Sequence, residues 1–174
     1  MAQITHFDGY LSNKKELAKE FGEKEDKELA LSVYEKYGED FAKYLEGMFG
    51  IIIKDESKTV LARDRFGNES VYYYLTGNEI VCGLTMNEIL NSGKYEKEIN
   101  HEALELFLTY SYLPGKKTFF SDIMKVMPGH VMTFEDGKLS DKQYFKIEYE
   151  RDDSKSLDEY AKEINDTLNE LVDD

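Results

Sequence analysis

Phe49-Gly50-Ile51-Ile52-Ile53-Lys54, Asp55-Glu56-Ser57-Lys58 and Thr59-Val60-Leu61-Ala62-Arg63 decide the fold: two apolar, β-branched runs joined by a short polar turn, which is a hairpin signature. Ile51 to Ile53 is a continuous apolar run, so this strand is expected to be covered on both faces. A second hairpin reads from Val71-Tyr72-Tyr73-Tyr74-Leu75 and Glu79-Ile80-Val81-Cys82, joined through Thr76-Gly77-Asn78. A third joins Val131-Met132-Thr133-Phe134 to Leu139 through Phe145, with Asp136-Gly137 at its tip.

Outward from these hairpins the pattern turns helical. Asn13 to Phe21 reads as a helix stopped by Gly22, after a short extended segment from Ile4 to Leu11. Between Asp26 and Tyr37, Leu29, Ala30, Val33, Tyr34 and Tyr37 recur at helical spacing, and Gly38 supplies the stop. A short helix around Phe41 to Leu45 follows, and further helices read at Met86 to Leu90 and at His101 to Leu108, the latter capped by Asn100. Ser156 and Glu159 form a capping box, and Leu157, Tyr160, Ile164, Leu168 and Leu171 trace one apolar stripe that needs a partner surface. Strands paired as hairpins between flanking helices predict an α+β domain of layered sheets and helices. Residues 1–147 form that domain, 148–155 a polar linker and 156–174 the last helix.

With 174 residues, 41% apolar, one good core is expected. The formal charge of −14 repels phosphate backbones and anionic bilayers, which argues against nucleic-acid and membrane partners. Cys82 is the single cysteine, excluding an internal disulfide or a cysteine zinc cluster and favouring a reducing, cytoplasmic setting. No apolar run approaches the ~18 residues of a membrane span, and the first six residues lack signal-peptide character.

The glycines form no phosphate-cradling pattern, and His6, His101 and His130 are scattered without a second ligand at metal spacing. Neither a metal nor a cofactor is expected. His130 reads as part of a turn feeding a strand, and Cys82, with no flanking cation, as a small buried hydrophobe. Arg63-Asp64-Arg65-Phe66-Gly67 is a turn that can lock itself by charge-assisted hydrogen bonds.

Several blocks together carry a resemblance. Val33 to Asp40, Leu45-Glu46-Gly47-Met48-Phe49-Gly50, Leu61 to Gly67, Val71 to Tyr74, Leu106 to Tyr110 with Leu113-Pro114-Gly115, and Val126-Met127-Pro128-Gly129-His130 resemble, in order, blocks of the asparagine synthetase glutaminase domain, a class II glutamine amidotransferase. The resemblance implies the αββα sandwich of the N-terminal-nucleophile (Ntn) hydrolases, here incomplete and followed by a C-terminal helix. In that family a cysteine at the mature amino terminus attacks the glutamine amide, and ammonia passes to an ATP-dependent synthetase domain.

Matched block by block, the family's nucleophile segment and carboxylate-gripping arginine fall upstream of the first block found here. The synthetase domain falls after the last helix. Phe7-Asp8-Gly9-Tyr10 resembles the family's Phe-Asn-Gly-Glu, but the asparagine that donates to the oxyanion is Asp8, and an ionised carboxylate cannot donate. Glu25-Asp26-Lys27-Glu28 resembles the block whose aspartate holds the substrate α-amine; an acidic residue capping a helix start is its structural role. The resemblance therefore implies no catalytic residue and a vestigial glutamine subsite of Asp26, Gly9 and Asp8. The expectation is a domain inactive alone that serves as a binding or scaffold module. Alternatives are a subunit of a glutamine-dependent, ATP-driven amide synthesis enzyme completed by another chain, or a decayed fragment. Open sheet edges predict a homo-oligomer or a synthetase-domain partner chain.

Overall fold

A computed structural model of the protein describes residues 2–149 and 154–173. In chain order the elements are β1 (Gln3–Leu11), α1 (Lys14–Phe21), α2 (Asp26–Tyr37), a 3-10 helix (Gly38–Tyr44), β2 (Gly47–Asp55), β3 (Lys58–Arg63), β4 (Tyr72–Thr76) and β5 (Glu79–Gly83). Then come α3 (Met86–Leu90), α4 (His101–Tyr110), β6 (Met124–Lys125), β7 (His130–Glu135), β8 (Lys138–Gln143) and α5 (Leu157–Asp173). The three hairpins form as read, and the apolar runs in them are strands. The short helix read around Phe41 to Leu45 forms as a 3-10 helix over Gly38–Tyr44, and β6, two residues long, carries too little pattern to be read from sequence.

The strands make two antiparallel sheets, one ordered β1-β2-β3-β7-β8 and the other β5-β4-β6. Both faces of β2 are used. Phe49, Ile51 and Ile53, with Val60, Ala62 and Val131, pack against Leu29, Ala30 and Val33 of α2 and Phe41 of the 3-10 helix. Ile52, Leu61 and Met132 face the other way and meet Tyr73 of the smaller sheet together with Val71 and Val126, which flank its strands. Ile51, Ile52 and Ile53 are all fully buried, as a strand between two layers requires. Helix α3 lies against β4 and β5, completing a helix–sheet–sheet–helix stack.

Ion pairs tie the layers at their rim. His130, the first residue of β7, places Nδ1 2.6 Å from Asp141 Oδ1 on β8, and Lys116, from the loop preceding β6, pairs with the other Asp141 oxygen. Burial alone would raise the Asp141 carboxyl; the hydrogen bonds from Lys116 and His130 outweigh it and hold the group below its usual range. A carboxyl depressed in the folded state stabilises above its unfolded pKa of about 3.9 and stops doing so as pH falls through the folded value. Asp141→Asn is therefore expected to be less stable than the parent at neutral pH, with the gap closing as pH falls below the ordinary carboxylate range. Urea melts across pH test this; a pH-independent gap would contradict it.

Helix α5 carries the expected box: Ser156 N and Oγ both donate to Glu159 Oε2, at 2.7 and 2.8 Å. Its Leu157, Ile164 and Leu168 are exposed; the Leu171 side chain and residues 150–153 of the linker lie outside the described residues. Among the described residues no helix is long and apolar enough to cross a membrane.

Candidate functional site

The residues singled out for the site gather along the last four positions of β1. Gly9 has φ +100°, and a Cβ there would stand 2.1 Å from the Met48 carbonyl oxygen, so only glycine fits. Gly47 on the facing strand has φ +125°, and its absent Cβ would lie 2.3 Å from the Tyr10 carbonyl. The two backbones thus close to a distance that side chains forbid. Asp8 precedes this contact and is exposed. Its Oδ1 accepts from the Gly9 amide at 3.0 Å, so the carboxylate consumes the nearest backbone donor.

Asp26 opens α2 and reaches back to the same strand end. Oδ2 accepts from the Leu11 amide at 2.8 Å, and Oδ1 lies 2.9 Å from Lys14 Nζ. The hydrogen bond to Asp26 raises the Lys14 ammonium above its ordinary pKa against a smaller desolvation effect. Asp26 is not the cap of its helix. Glu25 is, with its side chain taking the amide of Glu28 while the Glu28 carboxylate accepts from Glu25 N. Neither Lys14 nor this strand-to-helix tie was read from sequence. Lys14 opens α1 just past the β1 end, and its partner is twelve residues on, beyond the whole of that helix.

Asn13 holds the next turn: Nδ2 donates to the Tyr44 carbonyl at 2.9 Å and Oδ1 accepts from Glu46 N at 3.1 Å. It anchors the segment leading into Gly47.

The Arg63–Gly67 turn locks as expected. Asp64 is fully buried, and its carboxylate accepts from the amides of Phe66, Gly67, Asn68 and Glu69 and from Asn68 Nδ2. Arg63 donates to the carbonyls of Glu69, Gly67 and Val126, and burial lowers its pKa. The histidines do not converge: His6 pairs with Glu88 at 3.0 Å, and His130 with Asp141. Burial pushes the Cys82 thiol upward, the opposite of what a nucleophile needs.

Two antiparallel sheets packed face to face between helices form an αββα sandwich of the Ntn-hydrolase-like kind. A solved glutamine phosphoribosylpyrophosphate amidotransferase from B. subtilis, complexed with ADP and GMP, superposes with a TM-score of 0.58 at 14% identity, over 83% of this chain and 29% of that one. At that identity the likeness shows the fold. The family profile described as "Glutamine amidotransferase domain" matches residues 6–145, and the chain belongs to that family.

Among curated relatives, asparagine synthetase [glutamine-hydrolyzing] 1 of Bacillus subtilis (strain 168) is 31% identical over 176 residues, covering 95% of this chain and 28% of that protein. The putative asparagine synthetase [glutamine-hydrolyzing] 2 of Methanocaldococcus jannaschii is 29% identical, over 82% of this chain and 29% of that protein. The domain is asparagine synthetase-like, and the chain spans under a third of the length of these relatives.

Proposed function

We propose that this domain serves as a binding or scaffold module and that these 174 residues release no ammonia from glutamine. One observation carries the reading: at the position where the resembled family places an asparagine donor, Asp8 presents a carboxylate that also occupies the Gly9 amide. An oxyanion forming beside it would meet a like charge and no free donor at that point. Asp26 supports the same reading, because both its oxygens already hold protein donors. An incoming α-ammonium would share that carboxylate with the Lys14 ammonium and be repelled by it. Asp26, Gly9 and Asp8 are thus a vestigial glutamine subsite, and Cys82, the one thiol in these residues, is half-buried and held in its protonated form by desolvation, unlike a nucleophile.

Purified protein incubated with glutamine is expected to yield ammonia at the buffer rate. Ammonia release that a single side-chain replacement abolishes would overturn the proposal.

A second reading is a subunit whose glutaminase or synthetase half comes from another chain. It is favoured by the exposed Leu157, Ile164 and Leu168 on α5. The relatives named above are larger, glutamine-hydrolysing synthetases, which makes a synthetase-type chain the natural occupant. Ammonia transfer appearing only in a mixture with such a chain would favour this second reading over the first.

A further inference from the structure

On the side of the smaller sheet opposite Tyr73, a cavity of about 210 Å³ opens between Tyr72 of β4, Met86 of α3, Phe107 of α4 and Phe119. Phe107 and Phe119 meet edge to face with centroids 5.2 Å apart, giving the cavity an aromatic wall. Lys125 of β6, the register partner of Tyr72, closes one side. Among the described residues its Nζ has one hydrogen-bond partner, the Leu113 carbonyl at 3.4 Å.

That lysine is unusual for this protein. The other half-buried lysines, Lys14, Lys58, Lys116 and Lys117, each hold a carboxylate; Lys117 also lines this cavity, but Glu102 already pairs with it. Among the described residues Lys125 alone is half-buried without one, although the chain carries 36 Asp and Glu against 22 Lys and Arg. Arg63 adds to the positive potential: its Nη1 binds the carbonyl of Val126, next in sequence to Lys125, and carbonyls are its partners too. No carboxylate side chain lines the cavity. Burial, aggravated by Arg63, pushes the Lys125 ammonium below its ordinary pKa, the state that an arriving anion would relieve.

We propose that this cavity is a binding site for a small carboxylate with an aromatic or branched apolar body. The carboxylate pairs with Lys125, and the body lies between Met86 and the Phe107–Phe119 wall. A half-buried cation left to a single carbonyl is a costly arrangement unless an anion completes it, and an apolar cavity beside it sets the shape of that anion.

The test uses phenylacetate and its neutral analogue phenylacetamide, titrated into the full chain at about 0.15 M salt so that loose surface attraction is screened. Methyl and aromatic NMR shifts provide the readout. Phenylacetate is expected to saturate, with intermolecular Overhauser contacts to the Met86 methyl and the Phe107 ring. Phenylacetamide is expected to bind at least tenfold more weakly, and Lys125→Met to lose at least tenfold for the acid alone. The Met86 contact needs no variant, so a poorly folding Lys125→Met leaves the proposal exposed to failure. Absence of saturable shifts, equal binding of acid and amide, or shifts mapping to surface lysines elsewhere would each overturn it. So would an unchanged affinity in a folded Lys125→Met.

Discussion

Replacing Asp64 by alanine is expected to cost about 4 kcal/mol, because a buried carboxylate leaves behind several donors that nothing else nearby can satisfy, each worth roughly 1–3 kcal/mol when orphaned and partly recovered by water. The four amides from Phe66 to Glu69 and the Asn68 side chain all point at this one group. For a chain of this size the loss corresponds to a fall of about 10 °C in Tm. The position of the turn magnifies the consequence. It connects β3 in the larger sheet to β4 in the smaller, and Gly129 also donates to the Asp64 carbonyl at 2.8 Å. Arg63, held in the same turn, bonds across to Val126.

The variant should therefore loosen the contact between sheets, with amide exchange rising at Val126 and Gly129 before the α1–α2 side. Asp64→Asn keeps the size but turns an NH2 toward some of those donors, and it should fall between parent and alanine. A Tm for Asp64→Ala within about 2 °C of the parent would show that the turn contributes little to holding the sheets together.

Gly9→Ala is the second large effect. The added methyl would stand 2.1 Å from the Met48 carbonyl oxygen at a φ of +100°, so strain and collision act together. A loss of about 3 kcal/mol or more is expected, since backbone must move to relieve it. Gly22 provides the comparison: its φ is +82° and nothing lies within 4 Å of the point a Cβ would occupy, so Gly22→Ala carries only the conformational strain, about 1–2 kcal/mol. The difference between the two variants isolates the collision. Separation of β1 from β2 at this point would also pull the Leu11 amide from Asp26, so its protection from hydrogen exchange should collapse in Gly9→Ala and persist in Gly22→Ala. Equal stability of the two variants would mean that the close approach at Gly9 has no energetic weight.

The sequence alone determined what depends on neighbours within a few residues. The β2–β3, β4–β5 and β7–β8 hairpins follow from apolar alternation and turn chemistry; the Asn100 cap, the Ser156–Glu159 box and the Asp64 turn follow from side chains that bond within two to five residues. The collinear family blocks extended that reading to the four-layer stack. Only the tertiary structure decided which hairpins share a sheet, that β3 meets β7, and that a two-residue β6 joins β4. It alone turned Asp8 onto the Gly9 amide, tied Asp26 to Leu11 and Lys14, and left Lys125 facing an aromatic cavity. These outcomes depend on where distant backbone segments come to rest. A side chain's short-range preferences are written in its neighbours, whereas its long-range partner is set by packing of the whole layer.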